Sequence, residues 1–322
     1  MKAAVIHAQG GPEVLRYEDQ PDPAPGPGEV VIRTEAISIE GGDLLNRSVL
    51  PQTCFPHVVG YQAAGTVVAV GEGASRVAVG DRVAGFNFAG SHAEKFVVPD
   101  ASAFLVPAGL DPKLAATIPV TFGTADDALF GFGRLQAGET VLIQGGAGGV
   151  GLAAIQLAKA AGATVLATAR GSTRAERLEE FGADHGIAYD ETDFAAEVLR
   201  LTGGKGADLV VDLAGGDAAA MTKLLSAVAY RGRLSVVGLS SGEAPLIGFW
   251  DIVVKNMTVF GVLFGAEMGS PRGQEIVERH LADAAAGRLR MPIEREFPLA
   301  EAAAAHRYIE ENRPFGRVLL IP

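Results

Sequence analysis

Cysteine is nearly absent from this 322-residue chain, where Cys54 stands alone. A single cysteine excludes an internal disulfide framework and a four-cysteine structural zinc site. Positive charge is also short. Lys and Arg number 27 against 38 Asp and Glu, a formal net charge of −11, which argues against the phosphate backbone of a nucleic acid as the partner. No run of about 20 apolar residues is free of glycine clusters and polar breaks, so no membrane span is expected. The opening MKAAVIHAQGG has no apolar stretch suited to a signal peptide, and a cytoplasmic location is the resulting expectation. What the chain does have is 48% hydrophobic against 20% charged residues, enough to bury a sizeable core. Its length suggests two domains of roughly 150 residues each.

The pattern changes twice along the chain. Residues 1–118 carry short β-rich runs punctuated by Gly and Pro, such as AAVIHA, EVVIRTEAIS, AAGTVVAVG and AEKFVVP, the mark of a compact antiparallel sheet or barrel. Residues 119–264 alternate apolar strands (TVLIQGG, ATVLATAR, DLVVDLAG, RLSVVGL) with helical segments. That alternation means βαβ units and a parallel sheet. Residues 265–322 return to mixed character, with a helix from about Pro271 to Gly287, a PLAEAAAAHRYIEE helix and a final strand RVLLIP. The expected class is α/β.

The most informative stretch is TVLIQGGAGGVGLAAIQLAKAAGA. A strand from Thr140 to Gln144 runs into Gly146-x-Gly148-x-x-Gly151, with Gly149 and Val150 inside the motif, and a helix follows. GxGxxG alone is weak, but between a strand and a helix it reads as a dinucleotide site. Gly146 is expected to allow the tight turn, Gly148 the close approach of a pyrophosphate, and Gly151 the packing of helix on strand. The helix N-terminus offers the phosphates unpaired N–H groups and partial positive charge. About 20 residues past Gly148 an NAD site places Asp or Glu on the ribose 2′-hydroxyl. Here the chain reads Thr168-Ala169-Arg170-Gly171-Ser172-Thr173-Arg174. Arg170, Ser172 and Arg174 therefore suit a 2′-phosphate, and NADPH is the expected cofactor.

With these segments in hand, the chain resembles the medium-chain dehydrogenase/reductase superfamily, in its zinc-independent quinone oxidoreductase branch. The residues that carry the resemblance are MKAAVIHAQGGPEVL, PGPGEVVIRTEAIS, GDLLNR, VGYQAAGTVVAVGEGASRVAVGDRVAGF, PVTFGTA, QGGAGGVGLAAIQLAK, GADHGIAY, GADLVVDLAGG and RGRLSVVGL. The resemblance implies a doubly wound Rossmann domain inserted in a GroES-like β-rich catalytic domain that the C-terminal segment completes, with the cofactor in the interdomain cleft. It also implies Thr124 near the nicotinamide, Tyr189 and Arg317 in the adenosine-phosphate pocket, Gly238 and Leu239 along the cofactor, and a homodimer paired through the edge strand KNMTVFGVLFG.

Zinc-dependent relatives hold their metal with a Cys near the first helix, the His and Glu of a GHE motif and a further Cys or Asp. This chain has Ser38-Ile39-Glu40, then Gly60-Tyr61-Gln62, and no later Cys. Tyr and Gln are poor zinc ligands, and His7, His57, His92, His185, His280 and His306 show no close ligand spacing. No metal is expected. Hydride delivery to a quinone or an activated C=C does not depend on zinc, because the acceptor itself spreads the incoming charge onto oxygen. Tyr61 and Asp43 are the candidate catalytic residues, each with a structural role as the alternative, and Cys54 is read as a buried small hydrophobe. The family often has an Asn three residues before this Asp, where this chain has Glu40, and a Tyr shortly after it, where this chain has SVLPQT. The substrate therefore stays open between a quinone, an enone or alkenal, and an enoyl thioester. A non-catalytic NADPH-binding regulator is the alternative of another class.

Overall fold

The computed structural model describes residues 1–52, 54–239 and 246–322. It divides into one unit of Met1–Gly123 with Phe264–Pro322 and a second of Thr124–Leu263.

The first unit is built on β1 (Lys2–Ile6), β2 (Arg16–Asp19), β3 (Glu29–Ser38), β4 (His57–Val58), β5 (Gln62–Val70), β6 (Arg82–Phe86), β7 (Lys95–Pro99) and β8 (Ala103–Leu105). From the C-terminal segment come β15 (Ile293–Pro298) and β16 (Arg317–Ile321). Strands β2-β1-β4 make a small sheet, and β15-β16-β3-β5-β6-β8, with β7 also on β3, make a larger one. RVLLIP is the strand that joins the two pieces of sequence: Leu319 and Leu320 of β16 pair antiparallel with Ser38 and Ile37 of β3. Long β3 is buried along most of its length, and its Ile32 and Ile37 share a core with Ile6, Phe96, Val318 and Leu320. Its helices include α1 (Gly41–Ser48), α2 (Pro112–Ala115), α9 (Pro271–Ala285) and α10 (Ala302–Asn312). Ser270 opens α9 by accepting the Gly273 N–H at 3.0 Å, with Pro271 at its first position, the start that the sequence predicts.

The second unit holds a six-stranded sheet in the order β11 (His185–Ala188), β10 (Thr164–Ala169), β9 (Thr140–Gln144), β12 (Ala207–Asp212), β13 (Val228–Val236), β14 (Thr258–Gly261). All five pairings are parallel. Helices α4 (Gly149–Ala160), α5 (Ser172–Arg177), α6 (Phe194–Leu201), α7 (Ala218–Ser226) and α8 (Phe249–Val253) intervene between strands. The near-continuous apolar strands are buried as a parallel sheet requires: Leu142, Leu166, Val210 and Leu234 each have no exposed surface. The chain order reverses between β9 and β12, the position where doubly wound sheets bind ligands. Only Thr258–Gly261 of KNMTVFGVLFG is strand, and it lies at the sheet edge.

The unit boundaries differ slightly from the 118/119 and 264/265 divisions expected. PVTFGTA lies at the first of these divisions. It continues as a helix, α3 (Ile118–Asp126), that runs across the division at Gly123. Glycine is required there because a methyl group would overlap the Phe264 ring, so the two ends of the first unit close on each other.

Candidate cofactor and acceptor sites

In the second unit, β9 ends at Gln144 and the chain turns through Gly145 to Gly148 into α4. Gly145, which the sequence reading passed over, has φ +83 and supplies the turn. The tight-turn role expected of Gly146 is thereby corrected. A Cβ on Gly146 would stand 3.1 Å from Ala167 Cβ and Leu178 Cδ1, so it is a packing glycine. Gly146 donates its N–H to Thr168 O at 2.8 Å and Gly145 its own to Thr168 Oγ1 at 3.2 Å, which ties the turn to the end of β10. Gly148 is the N-cap of α4 at φ −78 and ψ 169, and a Cβ there would have no neighbour nearer than Gly145 O at 3.6 Å. Space is left open where a pyrophosphate would approach. Gly149 is buried and Val150 half-buried in the first turn of α4. A Cβ on Gly151 would overlap Gly145 O and lie 2.7 Å from Gly146 Cα, the close packing expected of it.

Polar atoms without partners among the described residues mark the same edge of the sheet. Asp212, at the end of β12, is fully buried; its Oδ1 accepts the N–H groups of Ala214 and Gly215, both at 3.0 Å, while Oδ2 is buried with no partner. Burial pushes this carboxyl above the usual range, against the two backbone bonds. Gln144 Oε1 on β9 and Ser235 Oγ on β13 are likewise buried without a partner. An unpaired buried polar atom is costly, and three of them on adjacent strands at the carboxyl edge fit a site that a ligand completes. Sequence reasoning missed all three; strand-terminal position beside the glycine turn was the available signal. Gly238 donates to Asp212 O at 3.2 Å and has no room for a Cβ against the Leu213 carbonyl. Leu239 beside it is half-buried. Thr124 lies on α3, half-buried.

Beyond the turn, β10 and β11 finish side by side, Tyr189 N–H donating to Ala169 O at 3.1 Å, and Arg170, Ser172 and Arg174 follow β10. The end of β10 carries no acid, as its sequence reads, but the chain beside it does. The loop after β11 brings two: Asp190 Oδ1 accepts the Gly171 N–H at 2.7 Å and Glu191 Oε1 the Ser172 N–H at 3.0 Å. Arg170 Nε stands 3.7 Å from Asp190 Oδ2.

The first unit carries a separate buried polar cluster. Glu40 precedes α1; its N–H donates to Asp43 Oδ2 at 2.8 Å and its carbonyl accepts the Asp43 N–H at 3.0 Å. Glu40 Oε1 accepts from Ser38 Oγ at 3.0 Å, from Gln62 Nε2 and from Arg317. Arg317 also donates to Ser38 Oγ at 3.1 Å and to Ile39 O. This overturns the adenosine-pocket reading of Arg317: its guanidinium is buried on a carboxylate of the first unit. Burial draws the Glu40 carboxyl upward, and Arg317, Ser38 and Gln62 oppose that shift. Asp43 is pushed well above the usual carboxylate range by burial, and its Oδ1 is buried without a partner. Tyr61 sits beside it, its hydroxyl over Gly42, where a methyl group would overlap it. Burial, then the Asp43 and Glu40 charges, push its phenol well above 10, so it stays protonated at neutral pH.

The residues at the positions of the zinc ligands do not fit a metal. Gln62 is committed on both amide atoms, with Oε1 accepting the Val120 N–H at 3.0 Å, Glu40 is ion-paired, and Tyr61 resists ionisation. Among the described residues no three His, Cys, Asp or Glu side chains group so as to hold a metal ion. Cys54, expected to be buried, is exposed, in a run of exposed residues from 54 to 56. Of the histidines, His92 and His306 are fully buried and face each other, with Nε2 atoms 3.0 Å apart.

Comparison with known proteins agrees with this architecture. Residues 26–108 match the alcohol dehydrogenase GroES-like domain and residues 149–280 the zinc-binding dehydrogenase domain. A 2-haloacrylate reductase from a Burkholderia species is 34% identical over 99% of this chain and 98% of its own length. A quinone oxidoreductase from Pseudomonas aeruginosa is 34% identical over 98% of both chains. Among solved structures, the Escherichia coli quinone oxidoreductase complexed with NADPH aligns over 100% of both chains with a TM-score of 0.95 at 27% identity.

Proposed function

From a chain that belongs to the medium-chain dehydrogenase/reductase superfamily, in its quinone oxidoreductase branch, we propose an NADPH-dependent oxidoreductase that needs no zinc and reduces a quinone. The observation that carries this reading is the turn from Gly145 to Gly151, open at Gly148 and closed at Gly151, beside the unpartnered Asp212 Oδ2. When bound there, a reduced nicotinamide supplies the hydride. The glycine turn and the first turn of α4 hold the pyrophosphate, and Arg174, Ser172 and Tyr189 hold the adenosine ribose and its 2′-phosphate. In the first unit, Tyr61 keeps its phenolic proton and offers it to the acceptor oxygen as negative charge develops there. Asp43 and Glu40 hold the start of α1 beneath that hydroxyl, and Arg317 and Gln62 hold Glu40.

A second reading, reduction of an activated C=C, has its own support in the full-length relative described as a 2-haloacrylate reductase. Enones, alkenals and enoyl thioesters belong to that class. The reading extends to a cytoplasmic homodimer in which a second copy pairs along the exposed edge of β14, a claim that light scattering tests and a clean monomer ends. No helix among the described residues is long and apolar enough to cross a membrane. The deciding experiment follows NADPH oxidation spectrophotometrically across quinones, enals and enoyl thioesters. Turnover with a quinone supports the first reading, and turnover confined to C=C acceptors selects the second. Binding of NADPH without turnover on any acceptor leaves only a non-catalytic regulator.

A further inference from the structure

The cofactor's adenosine end contains charge of both signs. Between Arg170 and Arg174, the backbone N–H groups of Gly171 and Ser172 are already taken by carboxylates of the chain itself, at 2.7 Å by Asp190 and 3.0 Å by Glu191. The Gly171 bond, ahead of the Arg170 charge, holds Asp190 below the usual carboxylate range, so it is ionised at neutral pH. Asp190 also faces the Arg170 guanidinium, at 3.7 Å. The glycine turn fixes where this end lies: Thr168 bonds Gly145 and Gly146, and two residues on the chain reaches Arg170.

We propose that Asp190 and Glu191 set the margin by which this chain prefers NADPH over NADH, opposing the 2′-phosphate while leaving a 2′-hydroxyl undisturbed. The inference rests on the nicotinamide-dinucleotide reading given above. A 2′-phosphate brings nearly two negative charges to a place where two carboxylates already stand, whereas a neutral ribose hydroxyl feels little of their charge. Asp190 further restrains Arg170, the second of the two arginines that the sequence offers to the phosphate. Replacing an acid by its amide retains the oxygen that accepts the backbone N–H and removes only the charge.

The test is isothermal titration of the intact protein with NADPH and with NADH, for Asp190→Asn and Glu191→Gln. Each variant is expected to bind NADPH about three- to tenfold more tightly at low ionic strength, a gain that shrinks with added salt. NADH affinity should stay within about twofold. A second readout is coupling: Arg170→Ala should cost little in the wild type and several-fold more in the Asp190→Asn background. An NADPH-to-NADH affinity ratio unchanged in both variants overturns the proposal. A wild type that binds neither cofactor overturns the dinucleotide reading beneath it, so the two failures are distinct. Should one variant fail to fold, the other carries the same comparison.

Discussion

Lowering the pH should destabilise the first unit through one pair of side chains. His92 and His306 are fully buried with Nε2 atoms 3.0 Å apart. Arg47 donates to His306 Nδ1 at 3.2 Å, and an Arg nitrogen cannot accept. His306 must therefore carry its proton on Nε2 and give it to His92 Nε2, leaving the His92 Nδ1 proton for Ser91 Oγ at 3.4 Å. Each ring nitrogen of the two histidines has a fixed role in the neutral form, and an added proton sets two donors against each other. The other charge facing the pair is Glu310, ion-paired to Arg47. Burial lowers His92 to about 3, and burial, then His92 and Arg47, hold His306 well below 6.5. The unfolded chain takes up both protons near pH 6.5 and the folded one does not, so stability falls as pH drops below 6.5 and stops falling near the folded values. Between pH 7.5 and 5.0 each histidine costs about 2 kcal/mol, about 4 kcal/mol for the pair. Asp43, raised by burial, acts with the opposite sign, so the decisive quantity is a difference between proteins. Denaturant unfolding of the wild type and of His92→Gln, whose amide can accept from His306 and donate to Ser91, should show the acid-induced loss reduced by about half in the variant. Equal losses in the two proteins would refute the reasoning.

Gly151→Ala should cost about 1–3 kcal/mol, because its methyl group meets the backbone of Gly145 and Gly146. Gly148→Ala, whose backbone angles any residue adopts, should leave thermal stability unchanged yet weaken NADPH binding by about tenfold or more; paired melting and titration experiments check both. Arg174→Ala should weaken NADPH by about 10- to 100-fold and leave NADH nearly unchanged, and equal losses would make the arginine a support for the fold. Elemental analysis should find no stoichiometric zinc, with activity indifferent to chelators; about one zinc per chain would contradict the ligand argument.

Much of this molecule was legible in its sequence because local rules and tertiary structure agree. Apolar strand runs alternating with helices gave the parallel sheet, and glycine spacing located the turn between β9 and α4 within a residue. The assignment within that turn failed because a GxGxxG pattern does not say which glycine takes the left-handed conformation; Gly145, just before the motif, does. Arg317 was misplaced because its position near the C-terminus says nothing of its partner. Pairing of β16 with β3 brings it against Ser38 and Glu40, some 280 residues away in sequence. Asp190 and Glu191 were overlooked for a related reason: the search for an acid followed β10, whereas these reach Gly171 and Ser172 from the neighbouring strand. The His92–His306 contact spans 214 residues, and ligand-type spacing cannot reveal it.

The central claim is hydride transfer to an activated acceptor without a metal. Its most direct test is the rate of acceptor-dependent NADPH consumption by chelator-treated protein, measured with ordinary NADPH and with NADPH deuterated at the transferring carbon. Turnover with a quinone or activated alkene should survive chelation and slow with the deuterated cofactor. Failure to consume NADPH with any of these acceptors, or activity that returns only on adding zinc, would contradict it.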